Sequence, residues 1–177
     1  MKEAYIKLTA LFSSFNENYD YLINEKQITF ANDYQENQRK MMLLSCASYF
    51  ESKLKDIILL FLATEGCSLT KCFIEKKALN RQYHTLFDWS KKNANDFFSL
   101  FGEDFKDFMS NEIKKDEKLE QSIKDFLELG SLRNALVHDN FITYSLNLSV
   151  EDVRRKFLSA EEFLNKIIIC VEEFKRK

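Results

Sequence analysis

Leu43-Leu44-Ser45-Cys46-Ala47-Ser48-Tyr49-Phe50-Glu51-Ser52-Lys53-Leu54-Lys55-Asp56-Ile57-Ile58-Leu59-Leu60-Phe61 is the stretch whose period decides the fold. Its stripe is Leu43, Cys46, Ala47, Phe50, Leu54, Ile57, Ile58 and Phe61. Steps of three and four residues mark one face of a 3.6-residue helix, not the alternation of a strand. The pattern predicts a long helix over about residues 33–64, with Gly66 placed as its C-cap. Glu51 falls beside Ala47, Leu54 and Ile58, at the edge of the stripe, and Lys55 stands one turn on.

The same period recurs outward on both sides. Leu8, Leu11, Phe12, Phe15, Tyr19, Leu22 and Ile23 predict a first helix over residues 3–24, followed by a polar connection from Asn24 to Asn32. Ser68-Leu69-Thr70 opens a short helix through Leu79, and 81–89 has no clear period. Phe97, Phe98, Leu100, Phe101, Phe105, Phe108 and Met109 predict a helical region with Gly102 inside it, entered through an asparagine cap at 93–95. A charged break is expected from Asn111 to Lys118. Leu119, Ile123, Phe126 and Leu127 resume a helix reaching Gly130, and Ser131 is placed as the cap of a new turn. Phe141 to Leu148 reads as an extended connection. Ser149-Val150-Glu151-Asp152 has capping-box spacing ahead of a last helix carrying Val153, Phe157, Ala160, Leu164, Ile167, Ile168 and Val171.

Composition agrees with helices. The 177 residues include no proline and three glycines, too few turn formers for a sandwich or barrel. The expectation is an all-α bundle of four to six helices in a single domain, residues 1–177. The 17 phenylalanines suit an aromatic core. A net charge of −2 gives no global pull toward nucleic acid or an anionic membrane, so any nucleic-acid site is local. Cys46, Cys67, Cys72 and Cys170 lack metal-ligand spacing, and no metal or other cofactor is expected. The apolar run Ile57 to Ala63 is far short of the ~20 residues that span a bilayer. The start lacks a signal-peptide core, so a cytoplasmic protein with free thiols and no membrane partner is expected.

One segment gathers chemistry. In Leu129-Gly130-Ser131-Leu132-Arg133-Asn134-Ala135-Leu136-Val137-His138, an arginine, a carboxamide and an imidazole interrupt apolar residues. On a helix Asn134 and His138 share a face, with Arg133 about 100° from Asn134. Arginine presents a planar donor fork to phosphate, and histidine moves protons near neutrality. That combination suits a phosphodiester site needing no metal when RNA supplies its own 2′-hydroxyl. On spacing alone a histidine near a helix end is more often a packing or capping residue. Glu51 either orients Arg133, contacts a partner subunit, or pairs with Lys55, the plainest of the three. His84, among Tyr83, Phe87 and Trp89, reads as a packing residue. The lysines at 71, 76 and 77, and at 114, 115 and 118, read as solvated surface. The phenylalanines at 97–108 read as core rather than as base-stacking platforms.

The segment Arg133-Asn134-x3-His138, late in a helical chain of this size, resembles the signature of the HEPN superfamily. Residues Ala47 to Lys55 on the long helix resemble its RiboL-PSP branch. The resemblance implies a HEPN-like bundle and a metal-independent endoribonuclease acting as a homodimer, its two motifs facing one RNA cleft. It implies that His138 is general base or acid, that Arg133 holds the scissile phosphate and that Asn134 positions either. Many such proteins are toxins with a cognate antitoxin or regulatory partner, or anti-phage defence effectors. The alternatives are a non-catalytic HEPN-like bundle binding RNA, a nucleotide or a protein, and a plain helical dimerisation module. One toxin branch carries a tyrosine two residues after the histidine, which a partner enzyme modifies with AMP. Asn140 stands there in this chain, so neutralisation by that route is not expected.

Overall fold

A computed structural model of the chain describes residues 2–62, 68–139 and 141–176. Among these residues the regular structure is helical, with no strand: α1 Lys2–Asn24, α2 Ile28–Leu62, α3 Ser68–Ile74, α4 Asn95–Ser99, α5 Glu103–Lys115, α6 Glu117–His138 and α7 Val150–Lys175. A π-helical turn, Glu75–Leu79, continues α3, and a 3-10 turn spans Tyr83–Thr85. Helices α2, α6 and α7 form the centre. Helix α1 lies on α2 and α7, and α5 lies on α6 and α7.

Phe12, Phe50, Phe97, Phe98, Phe126, Phe157 and Phe163 are fully buried in one continuous core. Rings meet mostly edge-on or tilted, as Phe50 does with Phe126 at 5.5 Å between centroids. Each buried side chain of this size stabilises the fold by about 1.5–3 kcal/mol. The phenylalanines at 97, 98, 105 and 108 are all buried here, as core and not as a stacking surface.

Several boundaries differ from the sequence expectation. The connection after α1 is only Glu25-Lys26-Gln27, not the whole polar interval to Asn32. Lys26 takes φ 57°, while the Lys26 N–H donates to the Ile23 carbonyl (3.0 Å) and the Gln27 N–H to that of Leu22 (2.9 Å). This Schellman pattern ends α1 in one left-handed residue, so the polar residues from 28 onward remain helical. Because lysine carries a Cβ that this conformation disfavours, Lys26→Gly is expected to stabilise the protein by about 0.5–1 kcal/mol. The check is a higher urea midpoint at unchanged slope.

Gly102 separates two helices instead of lying within one, since its φ of 102° cannot continue a helix. Asn93 Oδ1 accepts the Asn95 N–H at 3.2 Å at the entrance of α4. The charged break at 111–118 shrinks to Asp116, whose carboxylate caps α6 by accepting from the Lys118 and Leu119 N–H groups. The capping box is formed, with Ser149 Oγ accepting the Asp152 N–H at 3.0 Å and the Asp152 side chain returning to Ser149. The Gly66 C-cap and Cys67 lie outside the described residues.

Three lysines are buried at helix contacts. Lys53 on α2 binds Glu161 and Asn165 on α7, and the Tyr49 hydroxyl donates to the same Glu161 oxygen at 2.9 Å. Lys156 on α7 pairs with Asp125 and Glu128 of α6, each at 2.9 Å. Burial pulls the Lys156 ammonium down, but the two carboxylates outweigh this and hold it above its ordinary value. Lys40, only 2% exposed, donates to the carbonyls of Phe141 (2.9 Å) and Ile142 (3.4 Å). A buried ammonium needs such partners, so these ties set how α2, α6 and α7 meet.

Candidate functional site

Helix α6 runs without interruption from Glu117 to His138, so Ser131 is an interior residue and not a cap. The reason lies at Gly130. A Cβ there would land on the benzo edge of the Trp89 indole, overlapping Cζ3 and Cε3 with Cη2 at 2.9 Å. Glycine is present because a ring lies on the helix, not because the helix ends. Trp89 is fixed in turn. Its Nε1 donates to the His84 carbonyl at 2.8 Å, and its ring lies against Tyr83 (5.3 Å), Phe87 (5.2 Å) and Phe126 (5.9 Å). The His84 backbone thus takes part in the packing, while its imidazole is exposed. The expectation of a packed His84 ring is corrected: Tyr83, Phe87 and Trp89 fill the space that ring would need.

This arrangement brings the buried Tyr83 phenol to the last turns of α6. Burial pushes that phenol well above its ordinary range, the Glu51 carboxylate raises it further, and the Arg133 guanidinium pulls the other way. Tyr83 is therefore within electrostatic reach of both Glu51 and Arg133. Glu51 itself forms the i,i+4 pair with Lys55 at 2.6 Å. Among the described residues, no hydrogen bond or ion pair joins Glu51 directly to Arg133.

Arg133 Nη1 donates to Asn134 Oδ1 at 3.0 Å. Both side chains are half-buried, and His138, the last residue of α6, is exposed. Helical geometry places His138 one turn beyond Asn134 on the same face, and about 140° from Arg133. The guanidinium and imidazole of one chain thus leave the helix on different sides, with the Asn134 amide between them.

The segment following His138 is held by α2. Besides Lys40 on the Phe141 and Ile142 carbonyls, Arg39 Nη1 donates to the Leu146 carbonyl at 3.1 Å. Glu36 joins the pair, binding Arg39 and standing 3.3 Å from Lys40. Arg39 and Lys40 escaped the sequence reading because an apolar stripe gives no sign of cations directed at a distant backbone. Asn140 lies outside the described residues. Apolar side chains nonetheless stand open beside the histidine: Val137 at 53%, Phe141 at 40% and Ile142 at 85% exposed.

Cys46 and Cys170 are buried, and burial pushes both thiols up, that of Cys170 to about 11. Among the described residues no cluster of histidine, cysteine or carboxylate side chains has the arrangement of a metal site. No helix among them is long and apolar enough to cross a membrane.

The family model for RiboL-PSP-HEPN matches residues 3–173. The chain belongs to the RiboL-PSP-HEPN family. The match takes in every helix of the bundle and the whole Arg133–His138 segment, so this RiboL-PSP-HEPN chain carries its polar cluster at the C-terminal end of α6, next to the α6–α7 connection. No curated protein and no solved structure matches the chain.

Proposed function

We propose that this RiboL-PSP-HEPN protein is a metal-independent endoribonuclease whose site is completed by a second copy of the chain. Membership of the family supports an RNA-related role. The observation that carries the reading is the placement of three groups at the open end of α6. Arg133 is held by Asn134, Asn134 shares its face with His138, and His138 is exposed.

In the proposed reaction an imidazole takes the proton of an RNA 2′-hydroxyl. That oxygen attacks the adjacent phosphorus, and the bond to the 5′-oxygen breaks. A 2′,3′-cyclic phosphate and a 5′-hydroxyl result. The leaving oxygen needs a proton, which the imidazole of the second copy supplies. Arg133 neutralises the charge gathering on the phosphoryl oxygens, and Asn134 fixes its direction. Two copies are invoked because the Arg133 and His138 side chains of one chain diverge, and because Val137, Phe141 and Ile142 present an exposed apolar rim beside His138. A toxin or anti-phage effector, restrained by a cognate antitoxin or regulatory protein in the cytoplasm, is the biological setting proposed for such chemistry.

The test is incubation of the purified protein with RNA in excess EDTA. Cleavage with 2′,3′-cyclic phosphate ends is expected. Cleavage that requires added divalent metal, or that leaves 5′-phosphates, rules the mechanism out.

A further inference from the structure

Beside the Trp89 ring lies a groove of about 380 Å³ between the 89–92 segment and α6. Its walls are Ser90, Lys91 and Lys92 on one side and Lys124, Glu128 and Ser131 on the other. The α6 wall has a register that matters. Lys124, Ser131 and His138 are spaced by sevens, so they fall within about 40° of one another on one stripe of the helix. The groove therefore runs along the same stripe that ends at His138. By helical rise Lys124 stands about 21 Å from that histidine, and Ser131 about 10 Å.

The chemistry of the walls is that of a phosphate track. Three ammonium groups and two hydroxyls face one channel, and the partly exposed Trp89 ring edges it. The acid in the wall, Glu128, is already bound to Lys156 at 2.9 Å, which takes up its charge. Lys91 pairs with Asp88 (3.4 Å) and Asp96 (2.7 Å), and Lys124 with Glu120. These are surface pairs, which are weakly held, so an incoming phosphate competes with them readily. Lys92 is exposed and makes no ion pair among the described residues.

We infer that this groove binds the sugar–phosphate backbone of single-stranded RNA several nucleotides from the scissile bond. Lys92 and Lys124 are its principal phosphate-binding groups. The inference rests on the ribonuclease reading for the direction of the strand, but binding is measurable without cleavage. Recognition here is of backbone charge, so it is independent of base sequence and strongly salt-dependent.

The experiment uses the full-length protein and a fluorescein-labelled 2′-O-methyl RNA 20-mer, which lacks the attacking hydroxyl. Binding is followed by anisotropy over a range of salt. The double variant Lys92→Glu, Lys124→Glu is expected to bind about tenfold or more weaker. Its log K against log salt slope is expected to be shallower by about 1.4, or ~0.7 for each phosphate of a single strand that is no longer neutralised. The charge-matched control, Lys2→Glu with Lys7→Glu on α1, keeps the wild-type slope. Equal weakening in both variants means a whole-molecule charge effect and overturns the groove, as does wild-type affinity and slope in the groove variant. A wild-type protein that binds no RNA overturns it as well. Failure of the ribonuclease reading looks different: binding depends on Lys92 and Lys124, but unmodified RNA stays intact in EDTA.

Discussion

RNA cleavage falls at least about 1000-fold when His138 is replaced by alanine, while the urea unfolding midpoint stays within experimental error of the wild type. The first half follows from the proposed chemistry. General acid–base catalysis contributes about 10²–10⁴-fold for each positioned group. In a site built from two copies the substitution removes both the base and the acid. The second half follows from placement. His138 is exposed at the end of α6, so truncating it leaves no cavity. At most it loses an interaction with the helix dipole, worth about 0.3–1 kcal/mol when the imidazole is charged. A folded variant that cuts RNA at the wild-type rate would falsify the assignment of His138. A variant that fails to fold would place the histidine in the scaffold. Mixing subunits sharpens the test, since His138→Ala and Arg133→Ala proteins refolded together regain activity only if each copy supplies a different group.

Gly130→Ala is expected to destabilise the fold by about 2–3 kcal/mol and to lower cleavage as well, although alanine is the better helix former. Helix propensity alone favours alanine over glycine by about 1 kcal/mol. Against that, the new methyl would overlap the Trp89 ring. The ring is held by the hydrogen bond to the His84 carbonyl and by Tyr83, Phe87 and Phe126, so it cannot swing aside without carrying neighbours along. Overpacking of this kind typically costs about 1–3 kcal/mol, occasionally more. The neighbours it moves include Tyr83, whose phenol lies in the field of Arg133 and Glu51. Chemical denaturation measures the first effect and initial cleavage rates under folding conditions the second. A rise in stability would show that the 83–89 segment is not clamped on α6.

Much of the helical architecture was legible in the chain. The stripe from Leu43 to Phe61 is buried as its period predicts, with Leu43, Cys46, Phe50, Leu54 and Ile57 at 0–3% exposure. The Ser149 capping box was equally readable, because it is a local hydrogen-bond pattern complete within four residues. The helical placement of Arg133, Asn134 and His138 also follows from local spacing. Boundaries went wrong where a single backbone angle decided them. Lys26 shortened a connection by adopting a left-handed conformation that lysine rarely takes, and Gly102 divided a helical region whose apolar residues run on across it.

By itself, then, the sequence determined the helical class, the apolar faces and the helical spacing of the Arg133–His138 cluster, since each depends on residues within a turn or two of one another. Only the tertiary structure decided why Gly130 is a glycine, which lysines lie inside, and what surrounds the cluster. Gly130 is indistinguishable from a helix stop until Trp89, remote in the chain, is seen resting on it. Lys40, Lys53 and Lys156 resemble any surface lysine until carbonyls or carboxylates from other elements close around them. The groove from Lys124 toward His138 likewise has one wall on α6 and the other on the 89–92 segment. Such features arise from the approach of residues far apart in the chain, and a pattern of neighbours along one helix carries no record of that approach.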